Sequence, residues 1–214
     1  MNRRSLLRLA PVVLAPFFAL PAHAAPKALT LTERDRADIA RVEAYLNTLQ
    51  TLKAHFLQVA PDGSTAEGTA WMDRPGKMRF QYAPPSPLLL VAGHGLFFFH
   101  DSSLNQTTNL PLSATPLGLL LTDHLKLSGD VTVTAITRLP GQLQIDLVRT
   151  SSPDEGSLEL VFADNPLALR QWSVFDARGQ ETRVTLFNVE FGGKFDPDLF
   201  VFVPGISSGT SGGN

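Results

Sequence analysis

"RPGKMRFQYAPPSPLLLVAGHGLFFFHDSSLNQTT", residues 74–108, decides how this chain folds. Its first third has a period of two: Met78, Phe80 and Tyr82 alternate with Lys77, Arg79 and Gln81, so one strand face is apolar and the other polar. "PPSP" and "GHG" then act as turn signals, and the leucine-rich and phenylalanine-rich runs between them read as two more strands. Neither run alternates. Phe97, Phe98 and Phe99 must point to both faces of their strand. The stretch therefore predicts antiparallel strands carrying more apolar surface than one core-facing side needs.

Period-two runs continue on both sides of this stretch. Upstream are "LKAHFLQVA" and "EGTAWMD"; downstream are "DVTVTAITRL", "QLQIDLVR", "SLELVFA", "LRQWSVFDA" and "TRVTLFNVEF". The count is about ten strands, and "FDPDLFVFVPG" (195–205) predicts a last edge strand. Before the strands, Ile39, Val42, Leu46 and Leu49 recur at helical spacing behind Thr32 and Asp35, a capping-box pair. Midway, "SATPLGLLLTDHL" predicts a short oily helix with Ser113 as cap and Pro116 in the first turn. The fold class is α+β: an antiparallel sheet that either closes into a barrel or curls and lets helices plug its open side.

Residues 1–24 read as an export signal. Arg3, Arg4 and Arg8 precede a proline-broken apolar stretch, and Ala22-His23-Ala24 supplies a cleavage pattern. "NRRSLL" also has the form of a twin-arginine signal, so Sec and twin-arginine export both fit. The expected mature chain is periplasmic, with a single domain over 25–205 and a flexible Gly/Ser tail over 206–214. Without Arg3, Arg4 and Arg8 it holds fifteen basic and twenty acidic residues, a net charge of −5. Such a balance argues against nucleic acid as partner. The chain has no cysteine, so neither disulfides nor a lipid anchor on a cysteine are expected.

Catalytic patterns are sparse. No G-x-S-x-G or H-E-x-x-H run occurs among the five histidines and the serines. His94 reads as a turn residue, Asp154-Glu155 as a solvated turn, and His100 with Asp101 as the one adjacent acid–base pair. Neither a cofactor nor a metal is expected, and the chain is expected not to be an enzyme. What it has in excess is apolar surface, which suits a hydrocarbon cavity under helices.

Here the chain resembles a known family. Phe56, Gln58, Asp62 and Gly63 precede the run Gly68-x-x-Trp71-x-x-Arg74-Pro75-x-x-x-Arg79-Phe80, and Thr115-Pro116-Leu117 follows. This pattern is similar to that of the periplasmic outer-membrane lipoprotein carriers (LolA-like), over most of the mature chain. The resemblance implies a half-open antiparallel barrel with a helical lid over an apolar cavity. It also implies a soluble monomeric shuttle that takes acylated lipoproteins from an inner-membrane ABC transporter to an outer-membrane receptor lipoprotein. Arg74 is then the latch, holding lid backbone near Leu120 and Leu121. Trp71, Met78, Phe80, Tyr82, Leu89, Val91, Phe97, Phe99 and Leu117 are the expected acyl-chain cavity, with Phe98 replacing Phe97 and Phe99 if the register of that strand is shifted by one. Gly118 departs from a good lid helix and predicts a looser lid. Other readings are a sensor of stray lipoprotein, a carrier of another lipid such as a glycolipid or phospholipid, and, remotely, a lipid hydrolase.

Overall fold

A computed structural model describes residues 29–203; the expected signal (1–24) and the tail (206–214) lie outside the described residues. The strands are β1 (Thr51–Val59), β2 (Thr65–Asp73), β3 (Lys77–Tyr82), β4 (Leu88–Gly93), β5 (Leu96–Asp101) and β6 (Gln106–Pro111). They continue with β7 (Val131–Leu139), β8 (Gln142–Arg149), β9 (Gly156–Ala163), β10 (Ala168–Asp176) and β11 (Glu181–Phe191). All eleven form one antiparallel sheet in the order β6-β5-β4-β3-β2-β1-β11-β10-β9-β8-β7. The edges β6 and β7 do not pair, so the barrel stays half open.

Curling is visible in one contact. β3 and β10 stand four strands apart, about 19 Å along a flat sheet, yet the Phe80 and Trp172 ring centroids are 6.0 Å apart. The inner face has therefore folded onto itself. Gly68 helps: a Cβ there would lie 2.1 Å from the Gln81 carbonyl oxygen and 2.9 Å from the Phe56 ring. Its missing side chain lets Phe56 meet Phe80 and Tyr82 at 4.8 and 5.1 Å, an aromatic cover over a glycine.

The helix α1 (Glu33–Thr48) closes the open side, and its capping box is as expected. Asp35 N donates to Thr32 Oγ1 at 3.2 Å, and Thr32 N donates back to Asp35 Oδ2 at 2.8 Å. Ile39, Val42, Leu46 and Leu49 all lie in the core. Opposite them Arg138 of β7 grips Asp35 and Asp38 at 2.6 and 2.7 Å.

The Thr32 hydrogen bond, and after it Arg138, lower the Asp35 pKa to about 2 from 3.8. A carboxylate lowered on folding stabilises the fold above its unfolded pKa and loses that contribution as pH falls through the folded one. Asp35→Asn is expected to flatten the decline in urea midpoint between about pH 4 and pH 2. Parallel curves for both proteins would deny Asp35 this role.

The segment Leu112–Leu121 corrects the expected lid helix. It forms two 3-10 turns, Leu112–Ala114 and Pro116–Leu121, and not one α-helix. The cap is Thr115 rather than Ser113: its hydroxyl accepts from Gly118 N at 3.1 Å. Gly118 is needed for space, because a Cβ would sit 2.1 Å from the Leu112 carbonyl oxygen. Far from loosening the lid, it lets the two turns close on each other.

Two strand expectations also change. β6 was not foreseen, because "QTTNLP" is mostly exposed and lacks an apolar alternation. The expected edge strand at 195–205 is instead a 3-10 turn, Pro197–Phe200, leading into an unpaired extended strap. This strap crosses the outer face of β3–β5. Leu199 O accepts from Arg79 Nη1 at 3.1 Å, and Phe202 stacks on Phe98 at 5.2 Å.

Candidate functional site

Between the inner face of β3–β6, the lid and β10–β11 lies a cavity of about 490 Å³. Phe80, Tyr82, Leu90, Phe97, Phe99 and Leu110 form one wall, and Trp172, Val174 and Val184 the other. Thr115, Pro116 and Leu117 roof it. Tyr82 brings a polar atom to this lining, its hydroxyl donating to Gln58 Oε1 at 2.7 Å. Burial pushes the Tyr82 pKa up to about 12, so the ring stays neutral. At the other end, beneath α1, Leu46, Leu49, Met72, Met78 and Leu120 enclose a much smaller cavity of about 20 Å³.

Strand register decides which expected residues belong here. Phe80 pairs with Leu90, which pairs with Phe99, which pairs with Thr108; these share the inner face. Phe97 and Phe99 therefore face the cavity as expected, as do Phe80, Tyr82 and Leu117. Met78 is also on the inner face but lines the smaller cavity.

Leu89 and Val91 do not. They pair with Gln81 and Arg79 on the outer face, and Leu90 takes the place expected of them. A slip of one residue moves a side chain to the opposite face, and three consecutive leucines give no internal mark of register. Trp71 adjoins the smaller cavity from within β2, but it pairs with Arg79 and Lys53, so its side chain shares their outer face. Ala70 and Met72 are the inward residues of β2. The phenylalanine triplet is thus explained: Phe97 and Phe99 line the cavity, and Phe98 is covered by Phe202 of the strap.

Arg74 lies between β2 and β3 and is 6% exposed. Its Nε donates to Thr122 O at 2.8 Å, and Nη2 donates to Thr122 O and, at 3.2 Å, to Asp123 O. From the same guanidinium, Nη1 donates to Leu46 O and Leu49 O at 2.5 and 3.4 Å. One side chain therefore ties the end of the lid to the last turn of α1. The lid carbonyls belong to Thr122 and Asp123, one to three residues beyond the expected Leu120 and Leu121. Leu121 is held differently, its carbonyl accepting from Gly76 N at 2.8 Å. Burial pushes the Arg74 pKa down and Asp123 opposes the shift; arginine stays charged in proteins. A fork of five donors suits this many carbonyls, which a lysine could not span.

The α1 carbonyls were not foreseeable from motif position, because contact between residues 46 and 74 is set by the fold. Trp172, Val174 and Val184 were missed although their strands alternate; the expected cavity drew only on the first half of the sheet. His100 and Asp101 are not aimed at the cavity. His100 stands beside Thr107 at 3.0 Å and Phe202 on the outer side, and Asp101 caps its turn through Ser103 and Leu104.

A family model described as "Outer membrane lipoprotein carrier protein LolA" matches residues 47–203. The outer-membrane lipoprotein carrier protein of Methylococcus capsulatus is 32% identical over 177 residues, covering 77% of this chain and 83% of that protein. The protein of the same name from Pseudomonas aeruginosa is 30% identical over 180 residues, covering 78% and 84%. A crystal structure of a LolA superfamily protein from Nitrosomonas europaea is a looser likeness: TM-score 0.42 and 8% identity, over 77% of this chain and 97% of that one. With the family pattern running from the end of α1 to the strap, the chain belongs to the LolA family of outer-membrane lipoprotein carrier proteins.

Proposed function

We propose that this protein carries lipoproteins through the periplasm by their acyl chains, from an inner-membrane ABC transporter to an outer-membrane receptor. The observation that carries this reading is the latch: a buried arginine joins α1 to the lid above apolar cavities. Acyl chains offer nothing to hydrogen-bond, so a lining of leucine, phenylalanine and tryptophan suits them. Burial is worth about 0.8 kcal/mol per CH₂, so a fully enclosed long chain would not be released. A cavity of about 490 Å³ that stays partly open supports the incomplete burial a shuttle needs. Trp71, Leu89 and Val91 drop out of the proposed site, and Leu90 and Trp172 enter it.

The test is native mass spectrometry of the protein drawn from the periplasm. Wild type is expected to arrive with an acylated lipoprotein. Leu90→Glu, which places a charge in the cavity, is expected to arrive empty, whereas Leu89→Glu on the outer face retains cargo. Absence of lipoprotein from wild type, or equal cargo in the two variants, would overturn the reading.

A further inference from the structure

The two cavities share a wall. Among the described residues, only Phe80 and Trp172 border both the 490 Å³ chamber and the 20 Å³ one. Their rings meet edge to face, 6.0 Å apart at 86°, a favoured aromatic geometry. Phe56 backs this pair from β1 at 4.8 Å. The lid spans the partition, with Leu117 over the outer chamber and Leu120 over the inner one.

We infer that the Phe80–Trp172 pair is an internal gate that sets how much of an acyl chain enters before the lid must move. The inference rests on the carrier reading above and adds a specificity to it. The outer chamber is already open. The inner one has room for little more than one water molecule, too small for a hydrocarbon segment. Its roof is Leu46, Leu49 and Leu120, which belong to the two segments that Arg74 ties together, so lifting that roof strains the latch. Met72 and Met78 give its floor the pliancy that filling requires. A chain that stops at the gate leaves the latch shut. A longer chain, or a second one, turns the rings aside and works against Arg74.

Calorimetric titration with saturated fatty acids from octanoate to stearate, each below its micelle concentration, tests this. Wild-type affinity is expected to rise by about fourfold per added CH₂ among the shorter chains, then to level off once the outer chamber is full. In Phe80→Ala the rise is expected to continue to longer chains; Phe80→Leu makes the same comparison if the alanine variant does not fold. Normal wild-type binding with no break in the series, or a break at the same length in the variants, would overturn the gate alone. Failure of every fatty acid to bind wild type would overturn the carrier reading beneath it.

Discussion

Arg74→Leu is expected to bind acylated cargo far more tightly than wild type while still folding. In the empty protein Arg74 serves carbonyls of Leu46, Leu49, Thr122 and Asp123. α1 has no basic residue in its last turn, so Arg74 is also the cation that complements its carbonyl end. Losing charge-assisted hydrogen bonds of this kind costs about 2 kcal/mol. That cost falls on the closed, empty state, because an open lid exposes the same carbonyls to water. A ligand that favours the open state then gains what the closed state lost, roughly thirtyfold in affinity. Most of the change is expected in release, read as the dissociation rate of a fluorescent acylated peptide. Arg74→Lys is expected to fall in between. Wild-type release from Arg74→Leu would mean that Arg74 is not a latch.

Phe56→Ala is expected to give the largest loss of stability of any single truncation on the inner face. Phe56 is 1% exposed and holds Phe80 and Tyr82 in place above a glycine that offers no side chain of its own. Emptying such a site costs about 3–5 kcal/mol, a fall in Tm of roughly 10 °C for a domain of this size. Urea and thermal unfolding measure both. A loss below about 1 kcal/mol would show that the sheet closes over the gap, and that the ring cluster does not hold the curl.

Wherever one side chain's neighbours along the chain fixed its role, the sequence alone was sufficient. Met78, Phe80 and Tyr82 alternate with polar residues, so the inner face of β3 was legible, and Thr32 with Asp35 marked the start of α1. Arg74 was marked only by the family resemblance that the Gly68–Phe80 pattern carries, not by its own neighbours. Tertiary structure alone decided the rest. Leu88–Leu89–Leu90 carries no alternation, so only hydrogen bonding to β3 and β5 settled that Leu90 faces inward. β6 has little apolar marking and exists because β5 offers it an edge. The 195–203 segment has the composition of a strand but pairs with neither free edge of the sheet; Phe202 packs against Phe98 on the outer face instead. The carbonyls that Arg74 grips lie 25 to 49 residues away. Periodicity records what a strand or helix needs locally, whereas register, edges and long-range hydrogen bonds depend on which surfaces the whole chain brings together.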